Sequence, residues 1–239
     1  MIYKLLFLFI VGSTFGYILE LFFRRFVSMK KWINPGFLVG PYLPLYGSGL
    51  LVLFLGTEIL NKIPIETVIL KQILIIAILT LFIVLLEFIT GLIFIKGLRI
   101  KLWDYSNRKG NIMGIICPLF SIFWLALVAV YVLLAHNQID KLLSNIDFNN
   151  TIIIFVMGIY YGIFIIDNIY SFNVAAKIKK IANQSGIIIK YENFKLKFME
   201  KAKELKEKMR FSLPIKFNKN YKEKIEYYLE SIKSKINKK

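Results

Sequence analysis

Residues 69–95 read ILKQILIIAILTLFIVLLEFITGLIFI, and between Gln72 and Lys96 the only charged side chain is Glu87. A helix rises about 1.5 Å per residue and a bilayer's hydrocarbon core is about 30 Å thick, so roughly 20 such residues cross it. Four more blocks of the same kind stand at 3–23, 38–60, 112–134 and 151–171. Each is too long for a barrel strand of about 10 residues and none alternates strictly, so helices are expected. Apolar residues make up 57% of the 239-residue chain, more than a single soluble core of this length buries. The sequence therefore predicts an all-α, polytopic membrane helix bundle of about five transmembrane helices over residues 1–173. A basic helical tail, 174–239, is expected to follow. The first block opens after Lys4 alone, carries no small-x-small cleavage pattern and has Glu20 near its end, so an uncleaved first helix is expected.

The formal charge is +17, and its distribution matters more than its total. The first connection holds Arg24, Arg25, Lys30 and Lys31; the third holds Lys96, Arg99, Lys101, Arg108 and Lys109 against Asp104. The second has Lys62 and Lys71 with Glu66, and the fourth has Lys141 against Asp140 and Asp147. By the positive-inside rule the first and third connections are cytoplasmic, which puts the N-terminus outside and the tail inside the plasma membrane. From Val174 onward there are 19 Lys or Arg against 7 Glu, so the last 66 residues carry +12. Amphipathic helices are expected over 191–210 and 221–236, separated at Pro214. Such a tail is attracted to anionic inner-leaflet lipids, each cation contributing about 1 kcal/mol. Interspersed acids and the lack of a reader motif argue against nucleic acid.

Cys117 is the only cysteine and His136 the only histidine, which leaves no intrachain disulfide, and a zinc cluster or a Cys–His catalytic pair would need distant assumptions. Asp104 and Ser106 stand close in sequence without a base beside the hydroxyl. The chain is not expected to be an enzyme, and no metal or cofactor is implied.

Two stretches repeat an order of acid, Trp, Asn and Pro. Glu20, Trp32, Asn34 and Pro41 form the first; Glu87, Trp103, Asn111 and Pro118, with Asp104 after the Trp, form the second. Each pairs a helix running one way with a helix returning, so a duplication would give parallel repeats about an axis along the membrane normal. Chance similarity in an Ile-, Leu- and Phe-rich background is the alternative. A carboxylate at a span centre costs about 2.5–3.5 kcal/mol on insertion scales and calls for a partner or a role. Glu87 lies nine residues before Lys96, about 13 Å of helix, too far for snorkelling. Glu20 has Arg24 four residues on, a favourable helical pairing. Asp167 lies toward the end of the fifth block. The three acids are expected to converge with Arg24, Arg25 or Arg99.

Residues 34–49, NPGFLVGPYLPLYGSG, put three prolines and four glycines at the entry to a span. Proline lacks the N–H that a helix uses, so an unbroken helix is not expected, and the freed carbonyls need other partners. In transporters such broken stretches line a cavity. Trp32 and Trp103 suit interfacial anchoring.

The run at 34–49, together with Glu20, Glu87, the WDYS sequence at 103–106 and Asn111, resembles the bacterial ABC-transporter permease family labelled type IV or CmpB-like, over roughly residues 3–134. The resemblance implies a membrane subunit of a transport system, paired with a separate ATP-binding protein. This chain has no GxxxxGK[ST] phosphate loop of its own. The residues taken together as candidates for binding solute are Glu20, Asn34, Pro41, Tyr42, Pro44, Tyr46, Glu87, Trp103, Asp104 and Asn111. The contrasting expectation is a membrane scaffold or sensor whose tail recruits partners to the inner leaflet.

Overall fold

The computed structural model describes residues 1–28, 30–184, 186–197 and 200. Within these the chain forms α1 (Ile2–Phe23), α2 (Pro44–Leu60), α3 (Val68–Leu92), β1 (Ile100–Lys101), α4 (Pro118–Val130), α5 (His136–Asn145), α6 (Thr151–Gln184) and β2 (Ile189–Lys190). Four stretches are long and apolar enough to cross a membrane: Ile2–Ser28, Val68–Gly97, Pro118–Asn145 and Thr151–Gln184. The remaining apolar helix, α2, has 17 residues and runs about 26 Å, a little short of the hydrocarbon core. The expectation of about five spans thus meets four helices of full length and one shorter one. The tail helices expected beyond residue 200 lie outside the described residues; residues 191–197 are helical.

Several boundaries differ from the sequence expectation, and proline is the main reason. The second span was expected from residue 38, with Pro41 at its entry, but α2 starts at Pro44. The fourth was expected from residue 112, but α4 starts at Pro118. A residue before proline is pushed out of the helical region. Leu43 (φ −119°, ψ 103°) and Cys117 (φ −153°, ψ 157°) are accordingly extended, and each helix begins at the proline that follows. The equal Asn34–Pro41 and Asn111–Pro118 spacings therefore do not mark equal places in the two units. The endings of α1 and α3 do correspond. Each passes into a five-residue π-helical turn, Arg24–Ser28 and Ile93–Gly97, and two residues later a cation takes a left-handed conformation: Lys30 at φ 55°, Arg99 at φ 57°. Their N–H groups turn back to donate to the carbonyls of Arg24 (3.0 Å) and Ile95 (3.1 Å).

The chain divides into two compact units. The first comprises Met1–Ile93 and Asp104–Val174. Its helices α1 and α2 approach closely because small residues meet at the crossing. A Cβ on Gly16 would stand 2.2 Å from the Tyr46 Cβ, and one on Gly47 would stand 2.8 Å from the Phe9 carbonyl oxygen. Leu8 and Phe54 pack with Leu143 and Phe148 in one apolar core, and Ile75, Leu79, Ile83 and Val128 form a second between α3 and α4. Buried His136 ties the α4–α5 junction to α2, with Tyr131 Oη 3.1 Å from Nδ1 and Glu58 Oε1 3.2 Å from Nε2. From α6, Tyr161 donates to the Leu6 carbonyl at 2.9 Å. Ile152, Phe155 and Ile166 of α6 are exposed, as lipid-facing residues would be.

The second unit comprises Phe94–Trp103 and, among the described residues, those from Ala175 onward. Here β1 and β2 pair in parallel, Ile100 opposite Ile189 and Lys101 opposite Lys190, and the Ile189 N–H donates to the Arg99 carbonyl at 2.9 Å. Ile95, Ile100, Ala175, Ile178, Ala182, Ile189 and Phe194 are its buried apolar residues among the described residues. Helix α6 has 34 residues rather than the 21 expected from its apolar block, and at about 51 Å it outruns the hydrocarbon core.

The glycine crossing yields a paired prediction. Gly16→Ala must displace the Tyr46 Cβ and ring and should lower stability in detergent by about 1–3 kcal/mol. Gly158→Ala on α6, where a Cβ would meet nothing within 4 Å, should leave stability unchanged or raise it by less than about 1 kcal/mol. Thermal unfolding of the two purified variants checks both.

Candidate functional site

Glu87 lies one turn from the end of α3 and is 3% exposed. Both of its oxygens are held by neutral donors: the indole Nε1 of Trp124 donates to Oε2 at 2.9 Å, and the Tyr105 hydroxyl lies 3.4 Å from Oε1, a long contact. No Lys, Arg or His forms an ion pair with it among the described residues. A hydrogen bond to a charged group contributes about 1.5–3 kcal/mol, so the Trp124 bond alone is comparable to the insertion cost of the carboxylate.

Glu20, on α1, reaches the same group of side chains. The Arg24 Nε donates to its Oε1 at 3.1 Å, the helical ion pair expected from the four-residue spacing, and Arg24 is itself buried. The Tyr46 hydroxyl donates to Oε2 at 3.0 Å. Tyr46 sits in the first turn of α2, and its ring lies 5.4 Å from that of Trp124. A continuous chain of contacts thus runs Arg24, Glu20, Tyr46, Trp124, Glu87, Tyr105. Helices α1 to α4 each contribute to it.

Local structure explains how these groups are placed. Pro44 starts α2 two residues before Tyr46, and Gly16 leaves the space that the Tyr46 side chain fills. Asn111 organises the loop that carries Tyr105. Its Nδ2 donates to the carbonyls of Ser106 (3.2 Å) and Arg108 (2.8 Å), and its Oδ1 accepts from the Gly114 N–H at 2.9 Å. The Tyr105 N–H donates to the Gly114 carbonyl at 2.8 Å, and its ring stacks on Phe120 with centroids 4.3 Å apart. Asp104 accepts from the Ser106 N–H and hydroxyl, which closes the same loop.

The proline- and glycine-rich segment is held by a different acid. Asn34 shapes it locally, accepting from the Gly36 N–H at 2.7 Å and donating to the carbonyls of Leu38 (3.1 Å) and Val39 (2.9 Å). Asp167 of α6 then accepts from the Val39 N–H (3.1 Å), the Gly40 N–H (2.7 Å), the Tyr42 hydroxyl (2.6 Å) and the Ser171 hydroxyl (3.0 Å). The Leu43 N–H donates to the Ser13 carbonyl of α1 at 2.9 Å.

Of the ten sequence candidates, Glu20, Tyr46 and Glu87 come together. Pro44 and Asn111 position that group, and Asp104 braces its loop. Asn34, Pro41 and Tyr42 belong to the segment that Asp167 pins, and Trp103 belongs to the second unit. The expected convergence of three acids on arginines holds only for Glu20, which meets Arg24; Glu87 is held by Trp124 and Tyr105, and Asp167 accepts from two backbone N–H groups and two hydroxyls. Backbone donors freed by the prolines and glycines satisfy it instead. Trp32 packs on Phe22 and Phe26 beneath the Arg25 guanidinium. Trp124 was missed, although an indole N–H in the middle of an apolar span needs an acceptor and Glu87 was the acceptor in view.

The family described as "Putative ABC-transporter type IV" matches residues 7–172, more than half of the chain. The chain belongs to this family. The match takes in every residue of the Glu20–Glu87 chain of contacts and Asp167 as well, and it extends past residue 134, where the sequence resemblance stopped. No curated protein and no solved structure matches the chain.

The suture at Asp167 has a direct readout. Asp167→Ala removes the acceptor of the Val39 and Gly40 N–H groups, so amide exchange across residues 38–42 should speed up about tenfold or more by hydrogen–deuterium exchange in detergent, while exchange within α3 stays unchanged.

Proposed function

We propose that the chain is the membrane-spanning permease subunit of a type IV ABC transporter in the plasma membrane. A separate ATP-binding subunit drives it, and the linked Glu20–Tyr46–Trp124–Glu87 group is its solute site. The observation that carries this reading is Glu87 itself, a carboxylate buried among four helices and held only by neutral donors. Membership of the family supports an ATP-binding partner, because the chain has no phosphate-binding loop of its own. In this reading α2 is the fifth span, lengthened at its entry by the segment that Asp167 holds. The basic residues of the first and third connections set the N-terminus outside and the tail in the cytoplasm, against anionic lipid.

Two measurements on one variant test the proposal. Purified from native membranes in mild detergent, wild type and Glu87→Gln should both retain a stoichiometric ATP-binding subunit, identified by mass spectrometry. Glu87→Gln should accumulate normally yet fail to complement a deletion strain. Full complementation by Glu87→Gln would overturn the assignment of the site, and absence of any ATP-binding subunit from intact wild type would overturn the ABC reading in favour of a scaffold or stand-alone carrier.

A further inference from the structure

The surroundings of Glu87 restrict what the site takes. The charges near it do not balance: Glu20 is matched by Arg24 at 3.1 Å, while Glu87 has Trp124 and Tyr105 and no cation. Glutamine would accept the same indole N–H without bringing a charge into the span, so packing alone gives no reason for a carboxylate here. What lies beside the charge is aromatic. Tyr46 and Trp124 form one ring pair, and Tyr105 and Phe120 form a second. Each pair has one member in contact with a Glu87 oxygen. A carboxylate flanked by aromatic rings attracts an ammonium twice, by charge and through the ring quadrupole.

Resting on the transport reading above, we propose that the solute is an organic cation, an ammonium carrying apolar or aromatic substituents. Its charge pairs with Glu87 and its apolar groups lie on Tyr46, Trp124, Tyr105 and Phe120. A bare metal ion fits poorly, because the described residues include no group of three or more His, Cys, Asp or Glu side chains arranged to hold one. An anion fits poorly as well, since the buried Arg24 is already engaged by Glu20 and Glu87 would repel the anion.

The test uses the full chain in nanodiscs of zwitterionic phosphatidylcholine, with empty nanodiscs subtracted. Benzyltrimethylammonium is the probe and benzenesulfonate its anionic counterpart, both followed by equilibrium dialysis. Wild type should bind the ammonium saturably at one per chain, Glu87→Gln should bind it at least tenfold more weakly at unchanged thermal stability, and the sulfonate should show no saturable binding. Equal ammonium binding by Glu87→Gln and wild type, no saturable ammonium binding, or preferential sulfonate binding would each overturn the proposal. The outcomes also separate it from the transport reading. Failed complementation by Glu87→Gln with no ammonium binding leaves transport standing and removes the cation class. Tight, Glu87-dependent binding with full complementation keeps the cation site and removes its role in transport.

Discussion

A carboxylate that enters an apolar bundle must be solvated by the protein, and the packing of α1 to α4 is arranged around that need at Glu87. The Trp124 indole of α4 supplies the short hydrogen bond, while the Tyr105 contact, at 3.4 Å, is too long to serve alone. Once Trp124 is so placed, its ring meets Tyr46, and Tyr46 in turn donates to Glu20. The acid of α1 and the acid of α3 are thereby joined through the helices that follow them, by Tyr46 in the first turn of α2 and Trp124 in the second turn of α4. Buried polar chains of this kind are stable only when each member is satisfied, which ties the four helices to one arrangement.

The supporting parts of the structure have identifiable jobs. Glycines on α1 bring α2 close enough for Tyr46 to reach Glu20, and Gly91 on α3 leaves room for Ile115, where a Cβ would come within 2.3 Å of its Cγ2. Prolines 44 and 118 decide where α2 and α4 begin, and hence which of their residues face the acids. Asp167 holds the irregular segment ahead of α2 through its backbone N–H groups, so broken backbone at the entry to a span is satisfied by protein.

Much of this was legible in the sequence, for definite reasons. Long apolar blocks and the rarity of charge inside them announce membrane helices, and a lone Glu87 far from either end announces a polar site. The Glu20–Arg24 pair follows from helical spacing. The helix starts were harder to read, because residues 38–43 and 112–117 are as apolar as a span and only the prolines, with left-handed Met113 and Gly114, mark them as non-helical. Contacts between distant elements were not legible. That Asp167 meets Val39 and Gly40, or that Trp124 rather than Trp103 reaches Glu87, depends on how the helices pack. The parallel pairing of Ile100 with Ile189 joins two segments that are individually too short to read as strands.

The central claim is that the Trp124–Glu87 hydrogen bond organises the bundle, and a double-mutant cycle measures it most directly. Trp124→Phe removes the donor, Glu87→Leu removes the acceptor, and the two single variants and the double are compared with wild type by unfolding in detergent. A coupling energy of about 1.5–3 kcal/mol is the result expected for a hydrogen bond to a buried charge. Effects that add to within about 0.5 kcal/mol would mean that the two side chains do not interact, and would contradict the account at its base.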